Sequence, residues 1–317
     1  MSRLQIEQMN ESGGGTDDST LQTVQELIRR YDIDLIHAHF GMFHNALVFH
    51  RNELKDVKVI IHDHMDFGLK PSLALQYTKT ILRSLLYRMR RINVVGVMEK
   101  KTHAYVFTKH KWFVPNGLSL ERYVAHSMTR DECRGKLGLC ETDKCVMILG
   151  WDLKRKGLDI ALKAVRKCRE SDPDVCFGMI GAGTGPSDYA RAFILRETDI
   201  DPAEPWIHFF DSYEDMFAVH RAIDVYLSAS RKEAFSYGLL ESISQDTPVV
   251  VSDIPGTKWA DIYSSSFFYP AEDADACAEA IMAALAKGRG ATNSAELVEK
   301  YGIEQWCDTM LRIFDSV

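Results

Sequence analysis

Two glutamates, Glu233 and Glu241 at the ends of the segment EAFSYGLLE, are the densest chemical signal in the sequence. The apolar run DVYLSA (224–229) precedes them and PVVVSD (248–253) follows. That pattern puts Glu233 in a loop just past the carboxyl end of a strand, and Glu241 in the first turns of a helix beginning near Tyr237. Open α/β sheets bind ligands in the crevice at that end. A carboxylate there accepts hydrogen bonds from two vicinal hydroxyls, which is what a ribose or hexose ring offers. Two solvated surface glutamates are the plain alternative. Against it stands SDIPGTKW (252–259), where Gly256 lets the backbone approach a ligand at the same crevice.

A second cluster is cationic. In ILGWDLKRKGLDIALKAV (148–165), Lys154, Arg155 and Lys156 stand immediately before Gly157 and a helix start, so side-chain charge and helix N–H groups can converge on a diphosphate. A solvated basic loop is the bland alternative. GAGTG (181–185), centred on Gly183 and followed by Pro186 at a helix N1 position, is a weaker phosphate loop. It lacks the third-glycine spacing of GxGxxG, and no acidic residue ends a strand at the Rossmann distance, so a nicotinamide-dependent oxidoreductase is the least supported reading.

Six of the 11 histidines fall in one short stretch: His37, His39, His44, His50, His62 and His64. The HAH and HDH pairs put alternate residues on one face of a strand, an arrangement open to a metal. No cysteine or carboxylate stands with them at ligand spacing, so the reading taken is a polar cleft with no metal, its imidazoles donating to a sugar hydroxyl or phosphate. Neither a GxSxG elbow nor a P-loop GKS/T is present, which leaves hydrolase and NTPase chemistry little support.

The elements that must position these groups alternate along nearly the whole chain. Strands are expected at 3–9, 34–39, 57–63, 92–98, 145–150, 175–181, 206–210, 224–229, 248–253 and 266–270, with amphipathic helices between them. This βα rhythm makes parallel sheets covered by helices. At 317 residues the chain has room for two such units, joined near residue 125 where the polar stretch 118–144 carries no strand. Its apolar runs are far too short to span a bilayer, and its amino terminus lacks a signal-peptide core, so a cytoplasmic protein is expected. Seven scattered cysteines without a CxxC pair are read as reduced thiols. Residues 1–120 carry a balance of +4 against −11 for the remainder, so the two halves face different partners, and no nucleic-acid platform is present.

Taken together, these segments resemble the retaining nucleotide-sugar glycosyltransferases of the GT-B fold, family 4, also called glycosyl transferases group 1. DLIHAHFG resembles the family's N-domain strand motif, VPNGLSLERY (114–123) its interdomain segment, KGLDIALKAV its first C-domain helix, and EAFSYGLLESISQDTPVVVSDIPG its E-x7-E donor motif. The resemblance implies two Rossmann-like domains with parallel sheets. These are a reduced N-terminal acceptor domain at 1–124, a nucleotide-sugar domain at 125–300, and a C-terminal helix at 301–317 packing back toward the first domain.

It further implies that Glu241 binds the ribose hydroxyls, that Glu233 contacts the donor sugar, that Lys156 holds the diphosphate and that His62 reaches the transferred sugar. Donor contacts are implied also for Ser236, Tyr237, Gly238, Leu239 and Gly183. Three departures from the family pattern stand out. Trp151 follows Gly150 where an arginine is common, so the second cation must come from Arg155 or Lys154, or be missing. Ser236 stands where a glycine often follows the phenylalanine. Only 33 residues precede DLIHAHFG, fewer than the family usually spends on earlier βα units.

The implied reaction is metal-independent transfer of a hexose from a UDP- or GDP-linked donor to an acceptor hydroxyl, with retention, in surface polysaccharide or glycoconjugate synthesis. No cofactor beyond the donor substrate is expected. A non-catalytic glycosyltransferase-like subunit is the alternative. The basic amphipathic stretch 70–91 is expected to rest on an anionic membrane surface carrying a glycan or lipid-linked acceptor, and the short front to associate with a second chain, a like copy or another subunit.

Overall fold

Short apolar runs form strands where their pattern predicts them. These are β1 (Leu35–His39), β2 (Lys58–Asp63), β3 (Asn93–Gly96), β5 (Lys144–Leu149), β6 (Val175–Ile180), β7 (Ile207–Phe210), β8 (Val225–Ser228), β9 (Val249–Ser252) and β10 (Ser266–Tyr269). One strand is unpredicted, β4 (Lys111–Phe113), whose three residues are too few to show a period. This computed structural model describes residues 18–39, 44, 47–54, 56–64, 72–119, 128–181, 186–210, 215–290 and 294–317. The expected strand at 3–9 and Gly183 lie outside them.

Among the described residues the helices are α1 (Asp18–Tyr31), α2 (Ser72–Met89), α3 (Glu99–His103), α4 (Arg130–Leu137), α5 (Leu153–Lys156), α6 (Leu158–Arg169), α7 (Pro186–Glu197), α8 (Met216–Ala222), α9 (Tyr237–Ser244), α10 (Ala274–Lys287), α11 (Ser294–Tyr301) and α12 (Ile303–Ser316). The chain divides into two units. The first comprises Met1–His64, Gln76–Val114 and Leu311–Val317, and the second Met65–Leu75 and Pro115–Met310.

In the first unit four parallel strands lie in the order β1-β2-β3-β4. Side chains alternate across a strand, so Val59 and Ile61 point to one face and Ile60 and His62 to the other. The first face is the apolar core, where Val59, Ile61 and Val94 pack with Leu21, Tyr87 and Tyr105. At its edge the Asp63 carboxylate is buried and receives Lys101 Nζ at 3.0 Å and the Tyr105 hydroxyl at 2.7 Å. A buried charge survives only when so partnered.

The second unit is a six-stranded parallel sheet ordered β10-β9-β8-β5-β6-β7. Strand order reverses between β5 and β8, the topological switch point of a doubly wound sheet. Both of its strands are buried along their centres, Val146, Met147, Val225 and Leu227 among them, so the switch point is held by a rigid core. The polar stretch read as a boundary contains α4. The capping box of Thr129 and Glu132 starts this helix, and Gly138, at φ +65°, stops it. Few apolar residues mark α4 in sequence, because Arg134 fastens it by donating to the Ala222 carbonyl and the Asp224 carboxylate.

Candidate functional site

The loops that leave β5 and β8 carry both chemical clusters found in the sequence. After β5 the chain passes Gly150 and Trp151 into the single turn of α5, with Asp152 capping it by accepting from the Arg155 N–H. Gly157 ends that turn in the left-handed conformation, φ +70°. A side chain there would strike the Ala229 carbonyl oxygen at 2.1 Å, so only glycine lets the two loops touch. Arg231 completes the fastening: its N–H donates to the Arg155 carbonyl at 2.7 Å, and its guanidinium takes Asp159 at 2.8 and 2.7 Å.

Held this way, three donors converge on one carboxylate oxygen. Glu233 Oε1 accepts from Lys156 Nζ at 2.6 Å, Ser230 Oγ at 2.9 Å and Arg155 Nη1 at 3.4 Å. Lys156 and Glu233 are both largely covered, their side chains 16% and 10% exposed. Lys154 goes elsewhere. It is 59% exposed and reaches Glu197 at 3.1 Å on α7. The neighbouring Trp151 is 67% exposed. The approach that Gly256 permits is to the protein itself, since a Cβ there would lie 1.8 Å from the Glu233 carbonyl oxygen. The expected ligand approach is therefore replaced by backbone packing that supports the Glu233 loop.

Helix α9 begins one residue after Ser236, its N-cap, whose side chain is buried. Gly238 packs against the Tyr226 hydroxyl and Leu239 is wholly buried, which leaves the backbone N–H groups of the first turn as the polar groups these positions can offer. Tyr237 is exposed. Burial, then the charges of Glu233 and Glu241, push the Tyr226 hydroxyl pKa above its ordinary value. One turn on, Glu241 Oε2 meets His220 Nε2 at 3.0 Å, while His220 Nδ1 meets Ser242 Oγ at 2.7 Å. A carboxylate only accepts, so Nε2 is assigned the hydrogen and Nδ1 accepts from the serine.

Sequence reading missed His220, although its position on the apolar face of α8, three residues after buried Phe217, marks a buried and hence partnered imidazole. Arg289 was missed as well. It donates to the carbonyls of Gln245, His220, Arg221 and Ile223, gathering the carboxyl ends of α8 and α9, where helix dipoles are negative. Burial lowers its pKa to about 10.

His62 belongs to the first unit, fully buried near the end of β2. The parallel register sets it beside His39, and the period of two puts His37 and His64 on the same face. His37 Nε2 lies 3.1 Å from His62 Nδ1, and His39 Nδ1 lies 2.9 Å from His64 Nε2. One nitrogen each from His37, His39 and His62 fall within 4.8 Å of one another. Burial lowers their pKa values, His62 to about 2, His37 to about 3 and His64 to about 4, with neighbouring imidazoles pushing the same way.

Comparison with known proteins follows the same division. The family described as glycosyl transferases group 1 matches residues 143–287, the segment that holds both glutamates and the cationic turn. The D-inositol 3-phosphate glycosyltransferase of Corynebacterium aurimucosum is 27% identical over 134 residues, 40% of this chain and 31% of that protein. A putative teichuronic acid biosynthesis glycosyltransferase of Bacillus subtilis, TuaC, is 23% identical over 252 residues, 78% of this chain and 60% of that protein. The chain thus spans about a third to three fifths of the length of these relatives. Among solved structures, HepE of Anabaena in complex with UDP and glucose superposes with a TM-score of 0.74 at 18% identity, over 94% of this chain and 82% of that one. Residues 143–287 thus match the glycosyl transferases group 1 family, and the chain has the GT-B fold.

Proposed function

We propose that this protein transfers a sugar from a nucleoside-diphosphate sugar to an acceptor hydroxyl. The observation that carries the reading is the convergence of Lys156, Arg155 and Ser230 on Glu233 at the switch point, with Glu241 oriented by His220 one turn into the next helix. Glu241 takes the two ribose hydroxyls and the first turn of α9 faces the donor with its N–H groups. Lys156 and Arg155 meet the diphosphate, and Glu233 meets the sugar.

In the free protein Lys156 is held by Glu233, so the donor must share this cation. The ion pair holds the ammonium pointed before the donor arrives, which is the preorganisation that electrostatic catalysis requires. Transfer proceeds with retention by a front-face route: the leaving phosphate oxygen takes the acceptor's proton as the new glycosidic bond forms, while Lys156 and Arg155 stabilise the charge developing on the diphosphate. These cations fill the part a divalent ion plays in other transferases, so the activity is read as metal-independent.

A donor screen with UDP- and GDP-sugars, followed by product analysis and anomeric assignment, tests this. Absence of turnover with every donor, together with absence of nucleotide binding, would sink it. One observation favours a second reading, a non-catalytic partner subunit: exposed Trp151 occupies the cationic position beside the diphosphate turn. Calorimetry separates the two, since a lost site binds no nucleotide sugar.

The acceptor reading rests on α2. Its Thr80, Ser84 and Tyr87 face inward, while Leu82, Leu85 and Met89 are exposed with Lys79, Arg88 and Arg91. Exposed leucines among cations suit an anionic lipid surface bearing a glycan or lipid-linked acceptor, and hence surface polysaccharide or glycoconjugate synthesis at a membrane face. Among the described residues no helix is long and apolar enough to cross a membrane. Cosedimentation with anionic but not neutral vesicles supports peripheral binding. Association of the first unit with a second chain belongs to the same reading, because among the described residues β1 is an outer strand of its sheet, and light scattering tests it.

A further inference from the structure

We infer that His37, His39, His62 and His64 form a binding site for a borderline divalent transition metal of the zinc type, on the polar face of the amino-terminal sheet. Two strands, each with histidines at alternate positions, supply all four, and the β1/β2 register brings the rows side by side. The four rings form a contiguous cluster with centroid separations of 4.3 to 5.1 Å between neighbours. Zinc–nitrogen bonds of about 2.0–2.1 Å in tetrahedral geometry place ligand nitrogens about 3.4 Å apart. The nitrogens of His37, His39 and His62 already lie within 4.8 Å of one another, and His64 Nε2 is 2.9 Å from His39 Nδ1, so small side-chain rotations gather them around one ion.

The donor set selects the metal. Asp63 is adjacent in sequence but points to the opposite face, where Lys101 and Tyr105 hold its carboxylate, so no oxygen ligand from it joins the cluster. An all-imidazole set favours zinc, cobalt, nickel or copper over magnesium or calcium. In the metal-free protein these histidines make the His37–His62 and His39–His64 hydrogen bonds, which coordination would replace. Phe314 sets its ring edge against His37 at 5.2 Å and limits the rotations open to that ligand. This site is independent of the donor reading.

Titration of the full chain with zinc chloride by calorimetry, and with cobalt chloride by visible absorption, tests the site. The expected result is one bound ion, the visible band of tetrahedral cobalt without a thiolate charge-transfer band, and a loss of affinity of at least about tenfold in His39→Asn and in His64→Asn. Calcium and magnesium should give no heat at the same concentrations. A thiolate charge-transfer band in the unsubstituted protein would assign the ion to cysteines and overturn the inference, as would zinc affinity unchanged in both variants. No binding of either ion overturns it too. Since binding is read without turnover, failure of the donor reading leaves these outcomes untouched.

Discussion

The two sheets present their chemistry at the same place, the carboxyl ends of parallel strands, yet solve burial in opposite ways. At the β5/β8 switch point the partly covered ionisable groups are matched in ion pairs, Lys156 and Arg155 against Glu233, and Arg231 against Asp159. At the ends of β1 and β2 the imidazoles shed their charge and hydrogen-bond one another. The difference follows from the residue types. A lysine or glutamate resists neutralisation at neutral pH and must be paired, whereas a histidine needs only a small push to become neutral. Paired charges can be handed to an anionic ligand. Neutral imidazoles offer lone pairs and neutral hydrogen-bond donors.

The comparison breaks hardest at Glu241. Glu241→Ala removes two hydrogen bonds from ribose hydroxyls to a charged acceptor, at about 1.5–3 kcal/mol each, so donor affinity should fall by about 10²-fold or more. Calorimetry with the nucleoside diphosphate measures it, and unchanged affinity removes Glu241 from the site. Lys156→Ala should cost turnover about 10²-fold, as loss of one preorganised donor commonly does. Steady-state kinetics with saturating donor reads the effect, and normal turnover would pass the clamp to Arg155.

Mild acid should separate the two regions. His37, His62 and His64 have folded pKa values below the ordinary 6.5, so the unfolded chain binds more protons and stability falls as pH drops below 6.5, until the folded pKa values of about 4 to 2 are reached. For fully buried His62 this loss is up to about 1.4 kcal/mol per pH unit. In the second unit Asp159 would be raised by burial, but the hydrogen bonds and charge of Arg231 outweigh this and its pKa is lowered. Its contribution is therefore present above the ordinary aspartate range and is lost only below it. Hydrogen exchange of the metal-free protein between pH 7 and 4.5 should show the first unit loosening first, and equal loss in both units contradicts the comparison.

His220→Ala should weaken nucleotide binding about tenfold, by releasing the Glu241 carboxylate from its fixed rotamer, and His220→Gln should recover part of it. No difference between the two variants would mean that the histidine serves packing alone. The smallest effect belongs to Lys154→Ala. Its exposed pair with Glu197 contributes at most about 1 kcal/mol, and turnover should stay within about twofold. A large loss there would show that the cationic turn rearranges when the donor binds.

Much of this was legible beforehand because it is local. Short apolar runs alternating with amphipathic stretches announced nine of the described strands, and the spacing of Glu233, Tyr237 and Glu241 placed one carboxylate before a helix and the other one turn inside it. Strand β4 was not legible, since three residues carry no period, nor was α4, whose docking relies on Arg134 and not on an apolar stripe.

What the sequence by itself determined is which residue types stand at the carboxyl ends of strands, because side-chain alternation and helix periodicity are properties of the backbone. Tertiary structure alone decided which of them meet. Three consecutive cations diverge by about 100° each around a helical turn, so Lys154 turns to Glu197, Arg155 to Asp152 and Lys156 to Glu233, according to partners 3 to 77 positions away. The imidazole pairs depend on a parallel register between strands 25 positions apart, and the His220–Glu241 contact on the packing of two helices. Hydrogen bonds and ion pairs act over a few ångströms, and only the folded chain brings residues so distant in sequence within that range.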